Sequence, residues 1–227
     1  MTVTAPPYRE HPAQAVPPGR ILRYSFRERV VHWLAALSYI YCLLTGLAFW
    51  SPWLFWLAIA LGGGQISRML HPWIGLIFIA GVLQMYGLWA RQMGITDDDR
   101  AWFRSMRYYI RNEDDKMPPV GRYNAGQKLL FWGFFVCGIL LFLSGLVLWF
   151  PEYIPWSLRW LRYTAILIHA SSALLTIGLF LIHVYMGVFA ERGAFDSVIY
   201  GDVTEDFAKR FHPAWYKELF GSAPRRK

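Results

Sequence analysis

Four long apolar segments alternate with polar segments along the chain, at about residues 30–49, 71–90, 128–150 and 166–188. A bilayer core about 30 Å thick needs roughly 20 apolar residues in a helix that rises about 1.5 Å per residue. The second segment opens on His71-Pro72, and proline suits the first turn of a helix. The pattern predicts an all-α integral membrane protein built as a four-helix bundle.

The polar segments predict the remaining organisation. Residues 1–22 are rich in Pro and predict a flexible tail, residues 23–190 form the membrane domain, and residues 191–227 form a polar C-terminal tail. The apolar stretch at residues 53–61 is too short to span and is expected at the membrane interface. Residues 98–111 could form an amphipathic interfacial helix.

The distribution of positive charge predicts the orientation of the spans. Residues 1–29, 91–128 and 190–227 carry 5, 8 and 7 Lys or Arg residues, while the two other loops carry 1 and 2. Cytoplasmic segments of membrane proteins collect Lys and Arg. Both termini and the middle loop are therefore expected in the cytoplasm, and the net charge of +8 requires no nucleic-acid partner.

Four histidines lie in or at the ends of the spans: His32, His71, His169 and His183. His169 and His183 are 14 residues apart, which returns them to within about 40° of one helical face and separates them by roughly 21 Å. The predicted topology then places His71 and His169 near the outer side, and His32 and His183 near the cytoplasmic side. An ionisable group within a span is expensive and marks a functional site unless it only packs or hydrogen-bonds.

Two histidine pairs at two depths predict a diheme cytochrome b, with one b-type haem between each pair. Two axial imidazoles leave no open position on the iron, which favours electron transfer over chemistry on a bound substrate. The chain has no Cys-x-x-Cys-His motif, so covalent c-type attachment is not expected.

Other residues near these histidines have weaker signals. Gly46 is 14 residues after His32 and could admit the outer haem, or could serve helix packing alone. Arg29 and Arg68 each precede a candidate ligand by three residues. They could pair with haem propionates, or they could be ordinary positive charges that flank a span. His11 and His212 lie in the tails and are expected at the surface or against a partner.

The stretch Gly121-Arg-Tyr-Asn-Ala-Gly-Gln-Lys128 enters the third span on the predicted cytoplasmic side. Its polar side chains and small glycines could hold a quinone carbonyl while the tail of the quinone lies in lipid. The candidate quinone-binding residues are Asn124, Gly126, Gln127 and His183. An alternative is that the stretch only begins a helix.

Several motifs resemble the gamma subunit, cytochrome b556, of membrane-bound respiratory formate dehydrogenases. They are His32-Trp33, Leu70-His71-Pro72, GRYNAGQK at 121–128, RYTAILIHA at 162–170, LIHVYM at 181–186 and HPAWY at 212–216. The resemblance covers about residues 23–219. It implies that His71 and His169 ligate the outer haem, that His32 and His183 ligate the inner haem, and that Asn124 and Gly126 lie at a menaquinone site.

The resemblance also implies partners and a location. An iron–sulfur beta subunit would pass electrons from a molybdenum- or tungsten-containing formate dehydrogenase catalytic subunit through two haem b groups to menaquinone or ubiquinone. The chain would lie in the bacterial inner membrane and would not itself act on formate. The alternatives are a diheme anchor of a hydrogenase or similar oxidoreductase, and a haem-free membrane anchor or transporter.

Overall fold

The computed structural model describes residues 16–111, 113 and 116–221, and most of them are helical. The α-helices are α1 (Phe26–Trp50), α2 (Trp56–Ala60), α3 (Gly64–Trp89), α4 (Asp97–Arg104), α5 (Met106–Ile110), α6 (Ala125–Trp149), α7 (Trp160–Val184), α8 (Ala194–Ile199), α9 (Glu205–Phe211) and α10 (Pro213–Phe220). A π-helical segment, Tyr185–Ala190, continues α7. Two short strands, β1 (Arg20–Leu22) and β2 (Asp202–Thr204), pair antiparallel.

Four helical stretches among the described residues are long and apolar enough to cross a membrane, which confirms the predicted bundle of spans: Phe26–Trp50, Gly64–Gln92, Ala125–Trp149 and Trp160–Ala190. Each begins before the apolar segment that predicts it, because helical hydrogen bonding continues through the polar residues that flank a span. Pro72 therefore lies inside α3 and not in its first turn, since that helix begins at Gly64.

The described residues divide into two compact units, each considered by itself. The four-helix unit comprises Val31–Ala90 and Phe131–Ile182. Its core joins aromatic and aliphatic side chains of all four long helices, centred on Tyr39, Phe78, Ile79 and Val82, with Phe134 and Phe180 packed against them. Large apolar side chains such as Leu37 and Leu175 face outward, as lipid-facing residues do.

Close packing of α1 against α3 depends on a glycine. A Cβ at Gly81 would lie 2.9 Å from the Cβ of Ala35, a distance that side chains do not adopt. Small residues at a helix contact let the backbones of membrane helices approach each other. This approach brings the helix that carries His71 close to α1.

The loop unit comprises the described parts of residues 1–30, 91–130 and 183–227. Ile21 of β1 and Val203 of β2 are buried in its core with Trp215 of α10, which is 1% exposed. Arg20 of β1 forms ion pairs with Asp202 of β2 and with Asp196 of α8. Residues 20–22, which the sequence assigns to the tail, thus pair with the C-terminal part of the chain.

The short helices lie in the connections. The apolar stretch after α1 forms a 3-10 turn, Pro52–Leu54, followed by α2. The amphipathic segment predicted at 98–111 forms two helices, α4 and α5, that meet at Ser105. Thr96 caps α4 by accepting a hydrogen bond from the amide of Asp99, whose carboxylate accepts one in return from the amide of Thr96. This reciprocal capping box fixes where α4 starts.

Candidate functional site

His71 of α3 and His169 of α7 meet within the four-helix unit. The centroids of their imidazole rings are 6.3 Å apart, with the ring planes at 56°. A metal ion held in line between two imidazole nitrogens, about 2.0 Å from each, would separate the ring centroids by roughly 6 Å. The structure therefore brings the predicted outer histidines together at a spacing that suits axial ligation of one ion.

A hydroxyl group on a neighbouring helix fixes each of these imidazoles. The Thr45 Oγ1 atom lies 2.7 Å from Nδ1 of His71, and Ser144 Oγ lies 3.0 Å from Nδ1 of His169. Each hydroxyl also donates to a backbone carbonyl one turn earlier, that of Tyr41 at 2.8 Å or that of Leu140 at 2.6 Å. The hydroxyl oxygens therefore accept from Nδ1–H, which directs the lone pair of each Nε2 to a metal.

A glycine follows each of these hydroxyl residues and borders the same imidazole. A Cβ at Gly46 would lie 3.6 Å from Cε1 of His71, and a Cβ at Gly145 would lie 3.3 Å from Cε1 of His169. The dipeptides Thr45-Gly46 and Ser144-Gly145 thus make equivalent contacts with the two histidines. Both glycines keep the space beside the rings clear of side chains.

A cavity of about 770 Å³ surrounds the two histidines. Ligand pockets of roughly 300–1,000 Å³ accommodate cofactors and drug-sized molecules. Most of the lining residues are apolar, and they include Gly46 and Gly145. Arg68 also lines the cavity and provides a guanidinium group for an anionic substituent.

His32 and His183 are the remaining predicted ligands. His32 lies near the start of α1, and His183 is the penultimate residue of α7, just before the π-helical segment. His32 belongs to the four-helix unit and His183 to the loop unit. Their pairing at the inner haem remains a prediction.

Asn124 and Gln127, two predicted quinone ligands, form the N-terminal cap of α6. Asn124 Oδ1 accepts a hydrogen bond from the Gln127 amide at 2.8 Å, and Gln127 Oε1 accepts one from the Asn124 amide at 3.0 Å. Reciprocal bonding of this kind satisfies two amides that have no partner within the helix. A Cβ at Gly126 would lie 3.3 Å from Asn124 Oδ1 and 3.4 Å from the ring of Trp102.

The side-chain amide of Asn124 is bound to a buried carboxyl group. Asn124 Nδ2 donates to Oε1 of Glu191 at 3.3 Å, and the Tyr109 hydroxyl donates to the same oxygen at 3.0 Å. Glu191 is 5% exposed and directly follows the π-helical segment. Its amide donates to the carbonyl of Met186, five residues earlier, at 3.0 Å.

The N-terminal segment holds the residues before Asn124 in place. Arg122 donates to the backbone carbonyl of Arg23 and forms an ion pair with Glu28 at 3.2 Å. In return, Arg23 donates to the carbonyl of Arg122 at 3.2 Å. These two guanidinium groups therefore connect the segment before α1 to the loop before α6.

The C-terminal helices hold the same loop, through a histidine that is not at the surface. His212 is fully buried, and its Nδ1 donates to the Gly121 carbonyl at 2.7 Å. The expectation that His212 is a surface residue is wrong, because α9 and α10 pack around it; His11 lies outside the described residues. Burial and the positive charge of Arg23 lower the pKa of His212 well below its usual value, so the ring is neutral at pH 7.

A buried ion pair lies one turn further along α6. Lys128 Nζ is 2.6 Å from Oδ2 of Asp99, and the two residues are 8% and 5% exposed. Burial raises the pKa of Asp99, but the bonds from Lys128 and Thr96 outweigh it, so that pKa lies below its usual value. Both residues line a cavity of about 390 Å³, together with Trp102, Tyr123, Asn124 and Trp215.

Comparison with known proteins identifies the family of this chain. A family model described as prokaryotic cytochrome b561 matches residues 23–201. The chain belongs to the prokaryotic cytochrome b561 family. It is therefore a multi-pass membrane cytochrome b that serves as an electron-transfer subunit, and the family implies haem b as its cofactor.

Curated relatives of this cytochrome b561 chain share most of its length. It is 33% identical over 200 residues to the formate dehydrogenase cytochrome b556(fdo) subunit of Escherichia coli K12, covering 88% of this chain and 93% of the relative. The nitrate-inducible cytochrome b556(Fdn) subunit of the same strain is 32% identical, covering 88% and 91%. A formate dehydrogenase cytochrome b556 subunit of Haemophilus influenzae is 33% identical, covering 88% and 83%. These matches confirm the resemblance recognised from the sequence motifs.

The described residues of the cytochrome b561 chain fit one haem b at His71 and His169. The ring spacing suits two axial bonds, the hydroxyl of Thr45 or Ser144 sets each tautomer, and the apolar cavity leaves room for a macrocycle. Sequence reasoning included Gly46 but missed Thr45, Ser144, Gly145 and Glu191. The available signal was a hydroxyl-glycine dipeptide repeated within two apolar spans, and a lone acidic residue at the end of the fourth span.

Proposed function

We propose that this chain is the quinone-reducing subunit of a formate dehydrogenase complex in the bacterial inner membrane. The observation that carries the proposal is the match over 88% of the chain to relatives named formate dehydrogenase cytochrome b556 subunits. An iron–sulfur subunit would deliver electrons, and a molybdenum- or tungsten-containing subunit would oxidise formate. Both termini of this chain would lie in the cytoplasm, as its Lys and Arg distribution indicates.

In this proposal the chain holds two haem b groups. Held by two histidines, each haem would supply one-electron transfer and would offer no open position to a substrate. His71 and His169 hold the outer group, oriented by Thr45 and Ser144, and Arg68 is available to a propionate. His32 and His183 hold the inner group.

The quinone head group would bind at Asn124, Gly126, Gln127 and His183, and the quinone would be menaquinone or ubiquinone. The Asn124 amide has two N–H groups, and Glu191 accepts from one of them. The second can donate to a quinone carbonyl. Asn124 is oriented for this by the capping bonds with Gln127, and the preceding loop is held by Arg23 and His212.

The haem assignment is tested by a pyridine haemochrome assay with a reduced-minus-oxidised spectrum on the purified complex. Two b haems per chain are expected. One haem would mean that one histidine pair is misassigned, and single His→Ala variants would identify it. Co-purification of a formate-oxidising subunit tests the partner, and co-purification of a hydrogenase would contradict the assignment.

The quinone site is tested with Asn124→Ser. Serine keeps an oxygen that caps α6 but removes the amide donor. Quinone reduction by formate should fall about ten-fold, the loss expected for a hydrogen bond of roughly 1.4 kcal/mol, while both haem spectra persist. An unchanged rate would remove Asn124 from the quinone site. Loss of the haem spectra would instead indicate a folding defect, which thermal unfolding of the variant would reveal.

A further inference from the structure

We propose that Glu191 is the proton donor of the quinone site, an inference that rests on the proposed quinone-reducing function. Reduction of a quinone to a quinol consumes two electrons and two protons, and haem b supplies only the electrons. An apolar site at the end of a span therefore needs a residue that carries protons in from the aqueous side. Glu191 lies at the end of the fourth span, next to the proposed quinone ligand Asn124.

The position of the carboxyl group suits this role. Glu191 Oε1 accepts from Nδ2 of Asn124, and the second N–H of that amide is the one proposed for the quinone. Two acceptors that share one amide nitrogen lie roughly 5 Å apart, a separation that one water molecule bridges. A proton can therefore move from the carboxyl group to the quinone oxygen through one water molecule.

The bonding of Glu191 differs from that of the other buried carboxyl group that contacts α6. The carboxylate of Asp99 accepts hydrogen bonds from the Lys128 ammonium group and from the amide and hydroxyl of Thr96. These bonds lower the pKa of Asp99 and hold it ionised. A carboxylate held in that way is a poor source of protons. Glu191 Oε1 accepts hydrogen bonds from the Tyr109 phenol and from the Asn124 side-chain amide.

The local backbone also sets Glu191 apart. It follows the π-helical segment Tyr185–Ala190, and its amide closes a five-residue turn on Met186. π-helical turns are rare and are found frequently at functional sites. The same short segment connects His183 to Glu191, so one element carries both the candidate inner haem ligand and the carboxyl group.

As the quinone oxygen accepts an electron, the O–H bond of the Glu191 carboxylic acid breaks and a new O–H bond forms on that oxygen. The resulting carboxylate regains a proton from water on the polar side of the membrane. Two such cycles supply both protons of the quinol.

The test compares purified wild-type complex with Glu191→Gln, using a short-chain naphthoquinone and a short-chain benzoquinone as acceptors. Glutamine keeps an acceptor for Asn124 and Tyr109 but has no acidic proton. The kcat for quinone reduction should fall about ten-fold or more, with KM changed less than about two-fold. Re-oxidation of the reduced haems by ferricyanide, which takes an electron and no proton, should proceed at the wild-type rate.

Two further variants sharpen the result. Glu205→Gln makes the same chemical change in a partly exposed ion pair with Lys209 and should leave kcat unchanged. Glu191→Asp should restore part of the activity. A wild-type kcat in Glu191→Gln overturns the proposal, and so does an equal loss of ferricyanide and quinone activity, which would show a structural role. If the wild-type complex reduces neither quinone, the proposed function itself fails.

Discussion

At the scale of single residues, the outer histidine pair depends on two hydroxyl groups. Thr45 and Ser144 each accept from the Nδ1–H of one histidine while donating to their own helix backbone. A hydrogen bond to the far side of an imidazole makes the coordinating nitrogen a stronger electron donor. A stronger donor favours ferric over ferrous iron, so these hydroxyls should lower the potential of the outer haem.

Removing the hydroxyls should therefore raise that potential. For Ser144→Ala or Thr45→Val, loss of a bond of about 0.5–1.5 kcal/mol corresponds to an increase on the order of 20–60 mV for one electron. Spectroelectrochemical titration of the complex measures the shift, which should affect the haem at His71 and His169 and not the one proposed at His32 and His183. Ser38→Ala is the matched control, because Ser38 bonds only to the carbonyls of Leu34 and Ala35 in the described residues. An equal shift in the control would contradict the assigned role.

At the scale of elements, the start of α6 is held from several directions. Its cap is shared between Asn124 and Gln127, and Lys128 joins it to α4 through Asp99. A buried ion pair adds little over an apolar pair of the same shape, but removing one partner leaves an uncompensated charge. The pair therefore fixes where α4 meets α6 more than it adds to total stability.

The burial of this ion pair predicts a strong energetic coupling between Asp99 and Lys128. Asp99→Asn or Lys128→Met alone should each lower the free energy of unfolding by about 3–5 kcal/mol. The double variant should lose clearly less than the two single losses combined. Thermal unfolding of the protein in detergent provides the measurement. Breaking the partly exposed Lys209–Glu205 pair should change little, and strictly additive losses at Asp99 and Lys128 would refute the coupling.

At the scale of the whole molecule, the repeated apolar spans and their histidines could be predicted from the sequence. Contacts between residues far apart in the sequence could not. Apolar periodicity and length predicted the four spans, and their histidines predicted the meeting of His71 with His169. The burial of His212 was missed because a polar tail with one histidine carries no signal for the residue it will contact. Its partner, the Gly121 carbonyl, lies 91 residues away in the sequence. The pairing of His32 with His183 remains a prediction.

The buried His212 predicts a pH dependence of stability. Its pKa is well below the usual value in the folded protein and returns to about 6.5 on unfolding. Below about pH 6.5 the unfolded chain binds more protons, so this residue costs about 1.4 kcal/mol of stability for each further pH unit, until the folded pKa is reached. His212→Asn keeps an N–H donor for Gly121 and does not titrate.

Thermal unfolding between pH 7.5 and 5.5 compares the two proteins. The wild-type protein should lose more stability than His212→Asn over this range. Titrating groups other than His212 contribute equally to both proteins and cancel in the difference. Parallel curves would show that His212 is not the residue responsible.

The short sheet between β1 and β2 has a consequence for biosynthesis. β1 leaves the ribosome before the first span, whereas β2 is made after the fourth, and His212 follows later still. The loop before α6 can therefore form its contact with His212 only when translation is nearly complete. By then every span has been delivered to the insertion machinery. A chain that stops short of α9 would integrate into the bilayer but would lack the contacts that hold the loop before α6, and quality-control proteases would recognise it before partner subunits assemble on it.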